Sequence, residues 1–397
     1  MKTKPIALLR LTPIALAFIL VGCISPPVPD VDQAIQDADP NRVISISNEN
    51  TVGYFRTALP FVPSPTRGLI HHSSVTINRA DMEQLEQSMM RVATDFFDPD
   101  THYFREGQLL TRDFVSGILS PANANNANNI GLNPPIGSEH QFGNETIRSR
   151  DNDQIRHLSY VLEHNFVTIE DGEFQLEAVS IALAMNPYYL YVNRSIGLEN
   201  LLRMTDNEII AIGQEMAEDL LPLLRELRGP DEALLFEDVP ILLSIFVLES
   251  HNQILPGRLA ATNFIEANSD RLSSWESVHE RHFTLQEANH DLAGYDPNVY
   301  DEFSFFSNTI EFHYPHHSGI TGRVHIVNHN VYRINIVFNM HFFGFSEQLS
   351  FHQLVAQYAN EFSAEYDVRI IIRSPNHFHG AITRPPFSEA EIHMISW

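Results

Sequence analysis

"VYRINIVFNMHFF" (residues 331–343), "SEQLSFHQLVAQYANEF" (346–362) and "DVRIIIRS" (367–374) decide the fold. In the first segment apolar and polar residues alternate, which is the period of a strand. The second repeats its apolar residues at helical spacing and opens on Ser346, a residue type that caps helices. The third is another strand. Strand, helix and strand in that order give a mixed α/β architecture of the α+β class. The order echoes an earlier one, in which "SSVTIN" (73–78) precedes a helix marked by Met82, Leu85, Met89, Val92 and Phe96 and capped by Asn78 or Asp81. An internal duplication of a strand-helix unit is therefore expected.

Between these ends, "HLSYVLEHNFVTIEDG" (157–172) and "EFQLEAVSIALAMN" (173–186) meet at Asp171-Gly172 and resemble a hairpin. A long helix is expected from Thr205 or Asp206 to Gly229-Pro230, with Ile209, Ile212, Met216, Leu220, Leu223 and Leu227 as its stripe and a possible kink at Pro222. "VPILLSIFVLES" (239–250) reads as a buried strand. The Asn/Ala tract "PANANNANNIGLNPPIG" (121–137) reads as an exposed loop, and "GYFRTALPFVPSPTRGLI" (53–70) as an ordered loop, because Pro60, Pro63 and Pro65 exclude both helix and central strand.

The N-terminus carries a different message. Lys2, Lys4 and Arg10 precede residues 11 to 22, which hold no charge and end at Cys23, the sole cysteine. A span of the hydrocarbon core needs roughly 20 apolar residues, so this run reads as a secretory signal. Leu20, Val21, Gly22 and Cys23 match a bacterial lipobox, with cleavage between Gly22 and Cys23 and acylation of the Cys23 thiol. Two acyl chains give stable anchoring where one does not. The expected organisation is a signal peptide over 1–22, a lipidated cysteine and Pro/Asp-rich tether over 23–42, and α/β repeats over 43–190 and 191–397. The expected location is the outer face of the cell membrane, held by a diacylglyceryl anchor, with lipoprotein-processing enzymes as partners.

The formal charge is −25, from 25 basic and 50 acidic residues. Such a balance excludes nucleic acid as the default partner. Among the 20 histidines, His71 with His72, His313 with His316 and His317, and His377 with His379 invite a metal reading. No His-Glu-x-x-His helix, cysteine cluster or acid-rich calcium loop accompanies them, and no metal or cofactor is expected. Carboxylate pairs such as Asp98 with Asp100 sit at turns. No G-x-S-x-G elbow, S-x-x-K or phosphate-cradling glycine loop is present, so the chain is not expected to be an enzyme. Arg56, Phe61 and Arg67 in the proline-rich loop are candidates either for a ligand or for pinning the loop internally.

At this loop the sequence resembles the CamS family of sex-pheromone lipoproteins from Gram-positive bacteria. The likeness rests on Arg56-Thr57, Pro60-Phe61, Pro63-Ser64 and Arg67-Gly68-Leu69, then "FREGQLL" (104–110), "GLNP" (131–134), "IALAMN" (181–186) and the C-terminal strand-helix-strand. The resemblance implies an anchored extracellular lipoprotein with related α/β repeats and no established enzymatic activity. It also implies a second use for the signal peptide, trimming to a short apolar peptide sensed by other cells. The candidate is Leu16, Ala17, Phe18, Ile19, Leu20, Val21 and Gly22. Two other readings stand beside this one. The first is a ligand-capturing surface lipoprotein that uses the proline-rich loop and residues 312–317; the second is a cell-envelope hydrolase.

Overall fold

The computed structural model describes residues 55–70 and 79–395, apart from 124, 127, 152, 171, 194–197, 251–252 and 316–318. The expected signal peptide (1–22), Cys23, the expected tether (23–42), Tyr54, the expected strand "SSVTIN" (73–78), His71, His72, His316 and His317 lie outside the described residues.

The first half runs β1 (Arg56–Thr57), α1 (Arg79–Ala93), β2 (Tyr103–Glu106), α2 (Arg112–Ile118), β3 (Glu139–Phe142), β4 (Glu145–Arg148), β5 (Leu158–Glu170), β6 (Glu173–Met185), β7 (Tyr188–Asn193), β8 (Leu198–Arg203), α3 (Asp206–Arg225), β9 (Ile241–Val247), β10 (Arg258–Ile265) and β11 (Glu276–Ser277). The second runs β12 (Glu280–Thr284), α4 (His290–Tyr295), α5 (Val299–His313), β13 (Gly319–Val327), β14 (Asn330–Asn339), α6 (Phe345–Ala359), β15 (Asp367–Ser374), β16 (His377–Arg384) and β17 (Glu391–Met394). Two large sheets result, ordered β1-β2-β5-β6-β9-β10-β11 and β12-β13-β14-β15-β16-β17. No helix among the described residues is long and apolar enough to cross a membrane, a statement about helices alone.

The expected strand-helix echo near 74–97 lies partly outside the described residues, but the two large sheets share another topological pattern. In each sheet a hairpin (β5-β6, β13-β14) passes through a helix (α3, α6) to a parallel strand (β9, β15), followed by an antiparallel neighbour (β10, β16). The repeated unit is thus hairpin, helix, hairpin, and the change of sheet falls between Ser277 and Glu280. The expected division at residue 190 falls within β7, in the two-stranded sheet β7-β8 that lies in sequence between β6 and β9.

The two sheets bury their faces differently, and the sequence shows why. In the first, Ile181, Leu183, Leu243 and Ile245 pack against Ile209, Leu220 and Leu224 of α3. The intervening Ala178, Ala182, Ala184, Leu242 and Phe246 pack against Leu85, Met89 and Val92 of α1 on the other face. A strand covered on both sides needs an unbroken apolar run, which is what "IALAM" and "ILLSIFV" supply. In the second sheet one face packs on Phe303, Phe306 and Ile310 of α5 and Phe351 and Val355 of α6, and the strands alternate. Gly322 of β13 lets α5 approach, since a Cβ there would stand 2.5 Å from the Phe303 ring.

Several local expectations change. Thr205 caps α3 with a full capping box to Glu208, but the helix ends at Arg225, short of Gly229. There the Arg225 guanidinium turns onto the carbonyls of Val239, Ser269 and Glu266 and ties the helix end to the β9 and β10 connections. Ser346 does not cap α6. The N-cap is Gly344, and Glu347 instead accepts the Phe343 amide at 2.7 Å. Asp81 lies inside the first turn of α1 and reaches away from it, accepting the amides of Gly257 (2.6 Å) and Glu249 (3.2 Å). Phe96 follows α1 and stacks on Phe264 at 4.8 Å, while Phe97 is the buried one. The Asn/Ala tract is largely exposed up to Asn129, but Asn133 is fully buried.

Candidate functional site

The motif "FREGQLL" builds one wall of a cavity. Glu106 ends β2 and accepts the Ser64 amide at 2.6 Å while pairing with Arg67. Gly107 follows because a Cβ there would meet the Glu163 side chain at 2.4 Å. Glu163, buried on β5, accepts the amides of Leu109 (3.0 Å) and Leu110 (2.9 Å) and the Asn165 side-chain amide (2.7 Å). Burial pushes its carboxyl up, against the pull of those bonds. The loop that looks irregular in sequence is therefore held from β5 by side chains, which is how a buried irregular backbone is satisfied.

Between this loop, α1 and β5 lies a cavity of about 290 Å³. Phe61, Arg67 and Leu69 come from the loop, Met82, Glu86 and Met90 from α1, and Tyr160, Leu162 and His164 from β5. The i, i+4, i+8 positions of a helix and the i, i+2, i+4 positions of a strand each share a face, so these two sets point at each other. The walls are mostly apolar. Of the cavity's lining, the Tyr160 hydroxyl and His164 Nδ1 are buried polar atoms that lack partners among the described residues. Tyr160 is 5% and His164 2% exposed. Burial lowers the His164 pKa to about 3 and raises that of Tyr160 well above its usual value. Burial also raises the Glu86 carboxyl, with Arg67 opposing. Orphaned buried polar groups each cost about 1–3 kcal/mol, so the cavity is suited to a small, largely apolar ligand that carries a hydrogen-bonding group.

The sequence candidates separate here. Phe61 and Arg67 line the cavity, with the Arg67 guanidinium 5.5 Å from the Phe61 ring centroid. Arg56 does not: it donates to the Asp100 carbonyl and sits 4.4 Å over the Tyr103 ring. His313 ends α5 beside exposed Phe312. His377 and His379 bring their rings to 4.7 Å. Tyr160, His164 and Glu86 are not evident in the sequence, because each sits inside a segment that reads as ordinary core; the two shared faces were the available signal.

A profile of the CamS sex pheromone cAM373 precursor family matches residues 61–390. The chain belongs to the CamS family. Its fold is similar to the crystal structure of a sex pheromone precursor from Lactobacillus salivarius subsp. salivarius, with TM-score 0.73 and 18% identity over 89% of this chain and 99% of that one. It is also similar to the C-terminal domain of the sex pheromone staph-cAM373 precursor from Staphylococcus aureus, with TM-score 0.64 and 22% identity over 81% of this chain and 98% of that one. No curated protein matches the chain. At these identities the solved CamS structures speak to fold, and they agree with the α+β reading.

A second cluster in this CamS chain, Glu280, His282 and His325, brings three potential metal ligands within 4.8 Å of one another. Its geometry is that of hydrogen bonding. Glu280 Oε1 accepts from Ser88 Oγ (2.8 Å) and Gln84 Nε2 (2.9 Å) and lies 2.6 Å from His325 Nε2, while Oε2 accepts the Leu259 amide at 2.7 Å. Two ligands about 2.1 Å from a tetrahedral ion stand roughly 3.4 Å apart, and Arg91 stands 3.6 Å from the same carboxylate. The donor set fits a latch between α1, β10 and β13 better than it fits an ion.

Proposed function

We propose that this CamS protein is made as a precursor, exported, cleaved before Cys23 and held at the outer face of the membrane by a diacylglyceryl group on the Cys23 thiol. The observation that carries the reading is the coupling of a pheromone-precursor domain over 61–390 to an upstream basic segment, an uncharged run and Leu20-Val21-Gly22-Cys23. On this reading a further cut releases Leu16 to Gly22, "LAFILVG", an uncharged peptide able to partition between bilayer and water. Mass spectrometry of membranes and spent medium tests both steps. Acylated Cys23 at the mature N-terminus and the free heptapeptide mass are expected, and detergent-dependent membrane fractionation of Cys23→Ser would sink the anchor.

A second reading concerns the mature domain, which we take to capture a ligand without turning it over. The cavity between the proline-rich loop, α1 and β5 favours it, with Tyr160 and His164 as the unpartnered polar groups. A polarity-sensitive naphthalene dye should gain fluorescence on binding there and lose it in Leu162→Trp, which fills the cavity. Equal fluorescence in both proteins would remove the assignment.

A further inference from the structure

The second sheet packs α5 and α6 on one face, and among the described residues its other face is bordered only at the side, by α1. Its strands place Val324, Ile334 and Ile370 inward, and the residues between them point the other way. The register across β13, β14, β15 and β16 puts Arg323 opposite Asn335, Asn335 opposite Arg369 and Arg369 opposite Thr383, in one row. The neighbouring row is Thr321, Val337, Ile371 and Ala381. With α1 and Pro256 forming a side wall, this face becomes a groove of about 580 Å³.

The charge arrangement is unusual for this chain. Acids outnumber bases by 50 to 25, yet in the row itself Arg323 and Arg369 flank a neutral asparagine. Strands lie ~4.8 Å apart, so the two arginine backbones stand ~10 Å apart, close enough for both long side chains to reach one small anion in the groove. Asp367 pairs with Arg369 at 3.1 Å but also with Arg333 at 2.7 Å. Arg323 donates to the Ile254 carbonyl at 3.3 Å. Glu83 on α1 is the carboxylate in the wall, and Glu391 stands opposite Thr383 on β17, outside the lining. A generic polyanion is repelled by the net charge of −25, so what fits is a compact anion.

We infer that this groove binds a phosphate ester of a small polyol. One arginine fork satisfies both oxygens of a planar carboxylate, whereas two arginines lining one groove, Arg323 tied by one N–H to the Ile254 carbonyl and Arg369 to Asp367 but each with further N–H donors, match a tetrahedral phosphate that offers oxygens to both. Asn335 and Thr383 offer hydrogen bonds to hydroxyls beside it, and Val337, Ile371 and Ala381 form a floor for the carbon skeleton. The ester is either soluble or the headgroup of a lipid.

The test uses the full chain with Cys23→Ser, titrated calorimetrically with sn-glycerol 3-phosphate and, separately, glycerol, and mixed with phosphatidylglycerol or phosphatidylcholine vesicles. Saturable binding of the phosphate but not of glycerol is expected, weakened at least about tenfold by Arg323→Ala and further by adding Arg369→Gln. Preference for phosphatidylglycerol vesicles without binding of the soluble ester would assign the lipid headgroup as the source, provided that Arg323→Ala abolishes it. Should Arg369→Gln disturb folding through Asp367, Arg323→Ala alone decides. Equal affinity in wild type and Arg323→Ala, or no binding of either phosphate form, overturns the proposal.

Discussion

His325 holds its Nε2 2.6 Å from Oε1 of Glu280, and Glu280 is completely buried where the first sheet gives way to the second. Gln84 and Ser88 of α1, the Leu259 amide of β10 and His325 of β13 all converge on this one carboxylate. The latch thus joins parts of the chain more than 190 residues apart.

Its removal should be costly. Burial alone would raise the Glu280 carboxyl, but the His325 hydrogen bond and charge, with Arg91, bring it down to about 2. A folded pKa below the unfolded value near 4.5 means that the stabilisation is complete above pH 4.5 and is lost as pH falls toward 2. Glu280→Gln should lose on the order of 3 kcal/mol at pH 7, in urea denaturation, with the gap to wild type narrowing below pH 4.5. A constant gap across that window would mean that the carboxylate charge contributes nothing.

The proline-rich loop gives a graded expectation. Arg67 is 58% exposed and its partner Glu106 only 15%, and exposed ion pairs contribute about 0–1 kcal/mol. Arg67→Ala should therefore cost less than about 1 kcal/mol. Glu106→Ala also strips the Ser64 amide of its acceptor and should cost about 2 kcal/mol. Thermal melts of the two variants decide it; equal shifts would assign the loop's order to the ion pair instead.

How much of this was legible depends on where each partner lies in the chain. The β5-β6 hairpin, the Thr205 cap and the β9 run were readable because their signals are local: a Gly172 turn at φ +84°, Thr205 with Glu208 three residues on, and an unbroken apolar run. The loop residues Phe61 and Arg67 were readable because prolines mark the loop. Glu280 was not, because Glu-x-His within a five-residue strand carries no sign of a carboxylate that gathers donors from α1. Ser346 misled because Gly344 and Glu347 solve the same helix-start problem by another route.

Asn133 shows the same limit at the end of the Asn/Ala tract. Its side-chain amide donates to the carbonyls of Leu119 and Leu158, both at 2.9 Å, and its oxygen accepts the Leu158 amide at 2.9 Å. Nothing distinguishes it locally from the exposed asparagines before it. Asn133→Ala leaves three buried backbone groups unpaired and should cost about 3 kcal/mol or more, whereas Asn125→Ala in the exposed stretch should stay within about 0.5 kcal/mol. Similar urea midpoints for the two variants would contradict this placement.

The cavity makes the last prediction through His164. Its ring is buried edge-on to Phe104 at 4.8 Å, its Nδ1 has no partner among the described residues, and burial lowers its pKa to about 3. Unfolded, the same imidazole takes up a proton near pH 6.5. Below that pH the unfolded chain binds a proton that the folded chain does not, so stability is complete above pH 6.5 and falls continuously toward pH 3. Over that interval His164 costs the fold on the order of 4 kcal/mol. Asp81 works in the opposite sense, since burial raises its carboxyl to about 7 and the folded chain holds that proton between pH 4 and 7; comparing variants with wild type at each pH cancels its effect. His164→Leu should therefore match or exceed wild type at pH 7.5, where it removes an orphaned nitrogen, and should gain steadily on it as pH falls from 6.5. If the two urea stability profiles run parallel between pH 7.5 and 4, His164 is either protonated or solvated in the folded protein, and the cavity loses one of the two polar groups on which its ligand reading rests.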